Sequence, residues 1–153
     1  MVFRQQYINE GVSAVTATPS VEVGMERIVG QEKYIYVYNV GSSTIGVSYG
    51  AVVSAVSGYS VTVSSTTSVD FLIGVCKHTA IPTGSYGWLM TRGFSQIEMG
   101  TDNSGAVGNV IELGTDGAFA SVSNTTGNKG PTVGKLMEAI ASAGSGTAFI
   151  RVF

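Results

Sequence analysis

The sequence has little charge. Only 12% of its 153 residues are Asp, Glu, Lys or Arg, about half the share of an ordinary globular protein. The eight basic side chains are scattered singly and the formal net charge is -2. Nucleic acids and anionic membranes attract basic patches, and this chain has no such patch. We therefore expect no nucleic-acid partner and no membrane partner.

Cysteine, histidine and tryptophan are equally scarce, and each occurs once. One cysteine cannot form an internal disulfide, and one Cys with one His supplies too few ligands for a zinc site. No nucleotide-binding spacing is complete, so we expect no metal and no cofactor. The chain also lacks a signal-peptide pattern and any apolar run near the about 20 residues of a membrane span, which predicts synthesis and residence in a cytoplasm.

No charged residue occurs between Tyr34 and Val69. A monomer with so uncharged a surface would be near the limit of solubility, which indicates that another chain covers part of it. A surface kept soluble by Ser and Thr hydroxyl groups is the alternative, and the sequence leaves it open.

The pattern of the remaining residues is typical of β-structure, with 21 glycines and many Ser, Thr and Val residues. The stretch "KYIYVYNVG" alternates aromatic and mostly aliphatic residues, so it predicts a strand with both faces at least partly buried. Two further stretches predict hairpins, "AVVSAVSGYSVTVSS" with its turn at Gly58 and "NVIELGTDGAFASVS" with its turn at Asp116-Gly117.

An internal repeat appears when the sequence is shifted by about sixty positions. It predicts two hairpin-rich pseudo-repeats, at about 46–93 and 104–153. The expected glycine matches are Gly74 with Gly134 and Gly84 with Gly144 at a shift of sixty, and Gly58 with Gly117 and Gly50 with Gly108 at a shift shorter by one or two.

The repeat also bears on "GKLMEAIASAG", which alone has the propensity of a short helix. Its partner "GVCKHTAIPTG" contains Pro82, where a helix would break. We therefore interpret both stretches as a strand followed by a connection, and a helix over 135–142 remains the alternative. The predicted fold class is all-β: a small barrel or sandwich over 25–153, built from the two pseudo-repeats, with an extended N-terminal arm over 1–24.

Cys76 and His78 are two residues apart, so on a strand they would project to the same face as a possible thiol and imidazole pair. Asp70 is the nearest acid that could orient the histidine. No motif surrounds the pair, and free cysteine usually lies in a core as a small apolar residue. We therefore name no catalytic residue and expect no enzyme, with a Cys–His hydrolase as an alternative.

The order of "YIYVYNVG", "AIPTGSYGWLMTRG" and the closing "AGSGTAFIRVF" resembles the small β-rich capsid decoration, or cement, proteins of tailed bacteriophages. The resemblance covers roughly residues 25–153. It implies a homo-oligomer, commonly a trimer, which binds the outside of the phage head and bridges neighbouring major capsid subunits. It also implies synthesis in the host cytoplasm and residence on the exterior of the virion.

Five residues are the expected capsid or inter-subunit contacts. An extended arm with apolar side chains can add a strand to the open edge of a neighbour. The contacts are Phe3, Arg4, Tyr7 and Ile8 of the arm, and Tyr49. A receptor-binding or fibre component of the virion is the alternative function, although the sequence has no long shaft-forming repeat and only one tryptophan for stacking on a sugar.

Overall fold

The computed structural model describes residues 11–54, 59–63, 71–122 and 132–152, which are built almost entirely of β-strands. The all-β fold class expected from the sequence is confirmed. Within the described residues, the one helical element is a short 3-10 turn at Thr115–Gly117. The strands of these ranges are β1 (Glu26–Val29), β2 (Glu32–Asn39), β3 (Gly50–Val53), β4 (Ser60–Val63), β5 (Leu72–Val75), β6 (Tyr86–Glu98), β7 (Val110–Leu113), β8 (Phe119–Ser121), β9 (Thr132–Leu136) and β10 (Ser145–Arg151).

Five of these strands close into a barrel. They follow one another in the order β2, β4, β3, β5, β6, and pairing of β6 with β2 completes the ring. Neighbours are antiparallel except β2 and β4, which run parallel with Tyr38 opposite Ser60. Closure gives each of the five strands a partner on both edges, which removes the open edges that invite unwanted pairing.

The far half of β6 begins a second ring with the same strand order. Residues 92–98 of this 13-residue strand pair with β10, which is followed by β9, β7 and β8. A parallel bridge between Phe119 of β8 and Met99, just past β6, returns to the starting strand. We call β2–β5 with residues 86–92 the first unit, and residues 93–99 with β7–β10 the second unit.

The two units share their strand register. In the first unit Ala51 pairs with Gly74 and a β-bulge follows; in the second, Ile111 pairs with Gly134 and a β-bulge follows. A Cβ atom at either glycine would lie closer than 3.0 Å to the main-chain oxygen of the next strand. Both positions therefore need glycine, and one structural module is used twice.

The equivalence shifts by one residue before the last strand of each unit. The residue with positive φ that precedes this strand is Gly84 in the first unit (φ 74°) and Ala143 in the second (φ 53°). These two residues are 59 positions apart. The expected match of Gly84 with Gly144 is therefore wrong, because the connection in the second unit is one residue shorter.

A second expected match also changes. Gly50 pairs with Val75 in the same way that Val110 pairs with Lys135, so Gly50 corresponds to Val110. The expected match of Gly50 with Gly108 is wrong. Gly108 instead corresponds to Ser48, since both have a positive φ. The main-chain N–H of Ser48 donates to the oxygen of Cys76, just after β5, and that of Gly108 donates to the oxygen of Leu136, at the end of β9.

Alternate residues of each strand fill the barrel of the first unit. This interior cluster consists of Ile35, Val37, Ile45, Ala51, Val61, Ile73, Cys76, Ile81 and Leu89. The opposite face of the same strands carries Tyr34, Tyr36 and Trp88, which belong to a larger cluster that includes Ile97 and Ile111 of the second unit. The outer face of the first unit is thus buried, and the expectation that both faces of "YIYVYNV" are covered is confirmed.

Residues 11–25 lie along the first unit of their own chain. Thr16 and Tyr86 exchange two main-chain hydrogen bonds of 3.0 and 2.8 Å. The hydroxyl group of Tyr36 lies 3.2 Å from that of Thr16 and accepts a hydrogen bond from Ser20 Oγ. The described part of the expected arm is therefore extended but docked. Its side chains that pack against the larger cluster are Val12, Val21 and Met25.

Both expected hairpins are present as antiparallel pairs, β3 with β4 and β7 with β8. The tight turn of the second contains Asp116 (φ 55°) and Gly117 (φ 76°), which explains the Asp-Gly signal in the sequence. Gly58, the expected turn residue of the first, lies outside the described residues. The alternative helix over 135–142 is wrong, because β9 runs to Leu136 and a turn follows it.

Candidate interaction surface

The structure separates Cys76 from His78. Cys76 is fully buried inside the first barrel, where its thiol donates a 3.1 Å hydrogen bond to the main-chain oxygen of Thr79. Burial raises the pKa of the Cys76 thiol to about 12. A buried thiol held in its protonated form is a poor nucleophile, so Cys76 is an apolar core residue, as its isolation in the sequence indicated.

His78 lies on the outer face, where its ring stacks on that of Tyr34 with centroids 5.7 Å apart. The Nε2 atom of His78 is 2.9 Å from the hydroxyl oxygen of Tyr34, which donates its own hydrogen to Glu32. Lys77 forms an ion pair with the same carboxylate. Since Tyr34 uses its one hydrogen on Glu32, Nε2 of His78 must be the donor to Tyr34. This network fastens the turn after β5 to β2.

The network shifts the pKa values of its members. Burial acts to raise the pKa of Glu32, but hydrogen bonds from Lys77 and Tyr34 and the positive charge of Lys77 outweigh burial and lower it. Burial and the charge of Lys77 lower the pKa of His78, against a smaller opposing effect of Glu32. The cluster therefore favours an ionised Glu32 beside a neutral His78.

Comparison with known proteins gives a likeness in fold to solved structures. No family model matches the sequence, and no curated protein matches it. Among solved structures, the chain is similar in fold to the N base of the head fiber protein gp8.5 of bacteriophage phi29. The two chains are 12% identical, with a TM-score of 0.51, and the match covers 76% of this chain and 93% of the phi29 chain. At that identity the likeness shows a shared fold.

Of the five expected contact residues, the structure describes only Tyr49. Phe3, Arg4, Tyr7 and Ile8 lie outside the described residues. Tyr49 is half-buried and lines a shallow groove at the junction of the two units, together with Val63 and the carboxylate of Asp116.

Another exposed apolar surface lies elsewhere and was not predicted from the sequence. Ile28 of β1 is 72% exposed and Phe94 of β6 is 49% exposed. With Val29 and Phe149 they line a groove of roughly 590 Å³ between the β1–β2 turn and the β6–β10 pair. We call it the Phe94 groove. The sequence signal for it is the alternation in "RGFSQIE". Phe94 shares a strand face with the polar residues Arg92 and Gln96, which indicates that it is exposed.

The described ranges contain no cluster of three or more His, Cys, Asp or Glu side chains that could hold a metal ion. In the same ranges, no helix is long and apolar enough to cross a membrane. In the described ranges, two surfaces are candidates for function, the Phe94 groove and the groove beside Tyr49.

Proposed function

We propose that this chain is a structural protein of a phage virion that binds the outer surface of the head and bridges neighbouring major capsid subunits. The observation that carries the proposal is the fold shared with the base of a phage head fiber protein. The sequence resemblance to capsid decoration proteins points to the same location. A β-barrel whose one cysteine is buried and unreactive suits a structural role more than a catalytic one.

A repeated lattice favours this kind of protein. A capsid offers the same surface many times, so an oligomer with several weak footprints gains avidity although each footprint is small. We propose that the chain acts as a homo-oligomer, in keeping with the trimer that the resemblance implies. In the described part of the uncharged stretch from Tyr34 to Val69, the exposed residues Val40, Val47 and Tyr59 supply surface that another protein can cover at little desolvation cost.

The N-terminal residues are the proposed second point of attachment. Phe3, Tyr7 and Ile8 supply apolar side chains and Arg4 a cation, so this segment could add a strand to a capsid subunit or to a neighbouring copy. Tyr49 is proposed as an inter-subunit contact because its groove lies on the surface between the two units.

The experiment uses virus particles produced without this chain. Purified protein is added back, and the particles are tested for bound protein and for retention of their genome on heating. The proposal predicts saturable binding and a higher temperature of genome release. A variant lacking residues 2–10 tests the arm alone, because residues 11–25 dock on the first unit and must stay for folding. Particles that bind no protein would contradict the proposal.

A second candidate function is the base of a head fibre. The similarity in fold to the N base of a phage head fiber protein favours this candidate specifically. A fibre base would be anchored at fewer positions than a bridging protein and would carry a further, distal segment. The two functions differ in the number of copies on each particle.

A further inference from the structure

The Phe94 groove contains an aromatic pair that differs between the two units. Phe94 and Phe149 lie opposite each other on β6 and β10, with ring centroids 5.1 Å apart in an edge contact. At the same place in the first unit are Tyr34 and Met90, also opposite each other, and both are almost fully buried. This position is therefore buried in the first unit and exposed in the second.

The cover in the first unit comes from the turn after β5. There the ring of His78 stacks on Tyr34. In the second unit the corresponding residue is Glu138, whose carboxylate instead accepts a hydrogen bond from the main-chain N–H of Thr147. Its neighbour Met137 is 48% exposed. Glu138 supplies no ring, and no residue stacks on the Phe94 and Phe149 pair in this way within the described ranges.

Three cations lie on the same strands as this open pair or on the next strand, and the groove also contains one carboxylate, that of Glu32, which is ion-paired with Lys77. Arg92 and Arg151 are opposite each other on β6 and β10. Each lies two residues from a phenylalanine of the pair, on the same face of the sheet, and both are exposed. Lys135 of β9 is opposite Phe149 and is also exposed. Within the described ranges there are two ion pairs, Lys33 with Glu26 and Lys77 with Glu32, and neither includes these three cations. Two adjacent like charges repel each other, and a carboxylate between them would relieve that repulsion.

The neighbouring strand offers a main-chain contact. β1 pairs with β2 on one edge, and it lies at the end of the strand order in the described part of the chain. Ile28 and Val29 of β1 form one wall of the groove. An extended segment lying along β1 could add hydrogen bonds of the β-sheet type while its side chains enter the groove.

We propose that the Phe94 groove binds an extended protein segment in which an apolar side chain is flanked by carboxylates, and that the capsid surface supplies this segment. The apolar side chain contacts Phe94 and Phe149, and the carboxylates pair with Arg92 and Arg151. Arginine is suited to this task because it binds a carboxylate through two parallel hydrogen bonds. The inference rests on the proposed function, since it names the surface that makes the contact with the head.

The test compares variants in binding to virus particles produced without this chain, at several salt concentrations. Phe94→Ser and the double variant R92S/R151S should each weaken binding at least tenfold, and the double variant should also reduce its salt dependence. R92K/R151K keeps the charge and should retain the salt dependence with weaker binding. Val107→Ser removes another exposed apolar residue, which is 67% exposed, and should bind as the unchanged chain does.

The outcomes separate the inference from the proposed function. If the unchanged chain does not bind the particles, the proposed function fails. If it binds and the Phe94 and arginine variants bind equally well, the inference alone is overturned. A change of oligomeric state in these variants, measured by light scattering, would also overturn it, because the groove would then be an interface between copies. Thermal unfolding of each variant shows that a loss of binding is not a loss of folding.

Discussion

Arg92 of β6 lies directly opposite Arg151 of β10, and the two arginines occupy the same position in the two units, 59 residues apart. The pair lies at the point where β6 passes from the first unit into the second. The two units are therefore joined through one continuous strand.

The shared glycines of the two modules should not tolerate a side chain. Gly134→Ala places a Cβ atom against the main-chain oxygen of Phe149, so we expect a loss of about 1–3 kcal/mol in the free energy of unfolding, measured with denaturant. Gly11→Ala is the control, since its nearest atom would be 3.6 Å away, and it should change stability by less than about 0.5 kcal/mol. Equal stability of the two variants would show that the close approach in β9 is absent.

Ser48 and Gly108 test the equivalence of the modules. Both have positive φ, 74° and 84°, a conformation that costs a residue with a Cβ atom roughly 1 kcal/mol relative to glycine. We expect Gly108→Ser to destabilise the protein by about 1 kcal/mol and Ser48→Gly to leave it equally stable or more stable by up to about 1 kcal/mol. Urea unfolding measures both changes. A marked loss of stability in Ser48→Gly would mean that the serine side chain has a role of its own.

Cys76 should be unreactive in the folded protein. Because burial raises its pKa to about 12, far less of its thiol is ionised at pH 8 than in an ordinary cysteine. A thiol reagent at that pH should label Cys76 only after denaturation, at a rate that His78→Ala does not change. Rapid labelling of the native chain that disappears in His78→Ala would instead restore the Cys–His hydrolase.

The network around Tyr34 should make stability depend on pH. The pKa values of both His78 and Glu32 are lowered in the folded state, so both groups bind protons more readily after unfolding. Their contribution is complete above the unfolded pKa values, about 6.5 for His and 4.5 for Glu. Stability should therefore fall in two steps on acidification, first below about pH 6.5 and again below about pH 4.5.

Two substitutions assign the steps. His78→Gln keeps an N–H donor for Tyr34 but does not titrate, so the step that begins near pH 6.5 should disappear while the more acidic step stays. Glu32→Gln should weaken the acidic step. The measurement is the midpoint of thermal unfolding at each pH. An unchanged profile in His78→Gln would show that His78 does not contribute.

Local patterns in the sequence were enough to predict the fold class. The alternation of "KYIYVYN" and the Asp116-Gly117 turn both depend on contacts within a few residues, and the structure confirms both. Such patterns could not predict that both units use the single strand β6. Its residues 93–99 correspond to β2, but the sequences "KYIYVYN" and "GFSQIEM" have little in common, because one outer face is buried and the other is exposed.

The Phe94 groove was harder to predict, because its exposure depends on the absence of a covering side chain from another part of the chain. Phe94 and Tyr34 look alike in the sequence as aromatic residues in strands. Only the stacking of His78 on one and the absence of such a partner from the other, in the described residues, distinguishes them. Covering of this kind is set by the turns that follow β5 and β9, whose side-chain directions no local pattern predicts.

The most direct test of the central claim is the number of copies of this chain in a purified virus particle, measured by quantitative mass spectrometry against the major capsid protein. A protein that bridges capsid subunits should be present in a number comparable with theirs. A handful of copies would favour the fibre base. Absence from the particle would contradict the account of the chain as a structural protein of the virion.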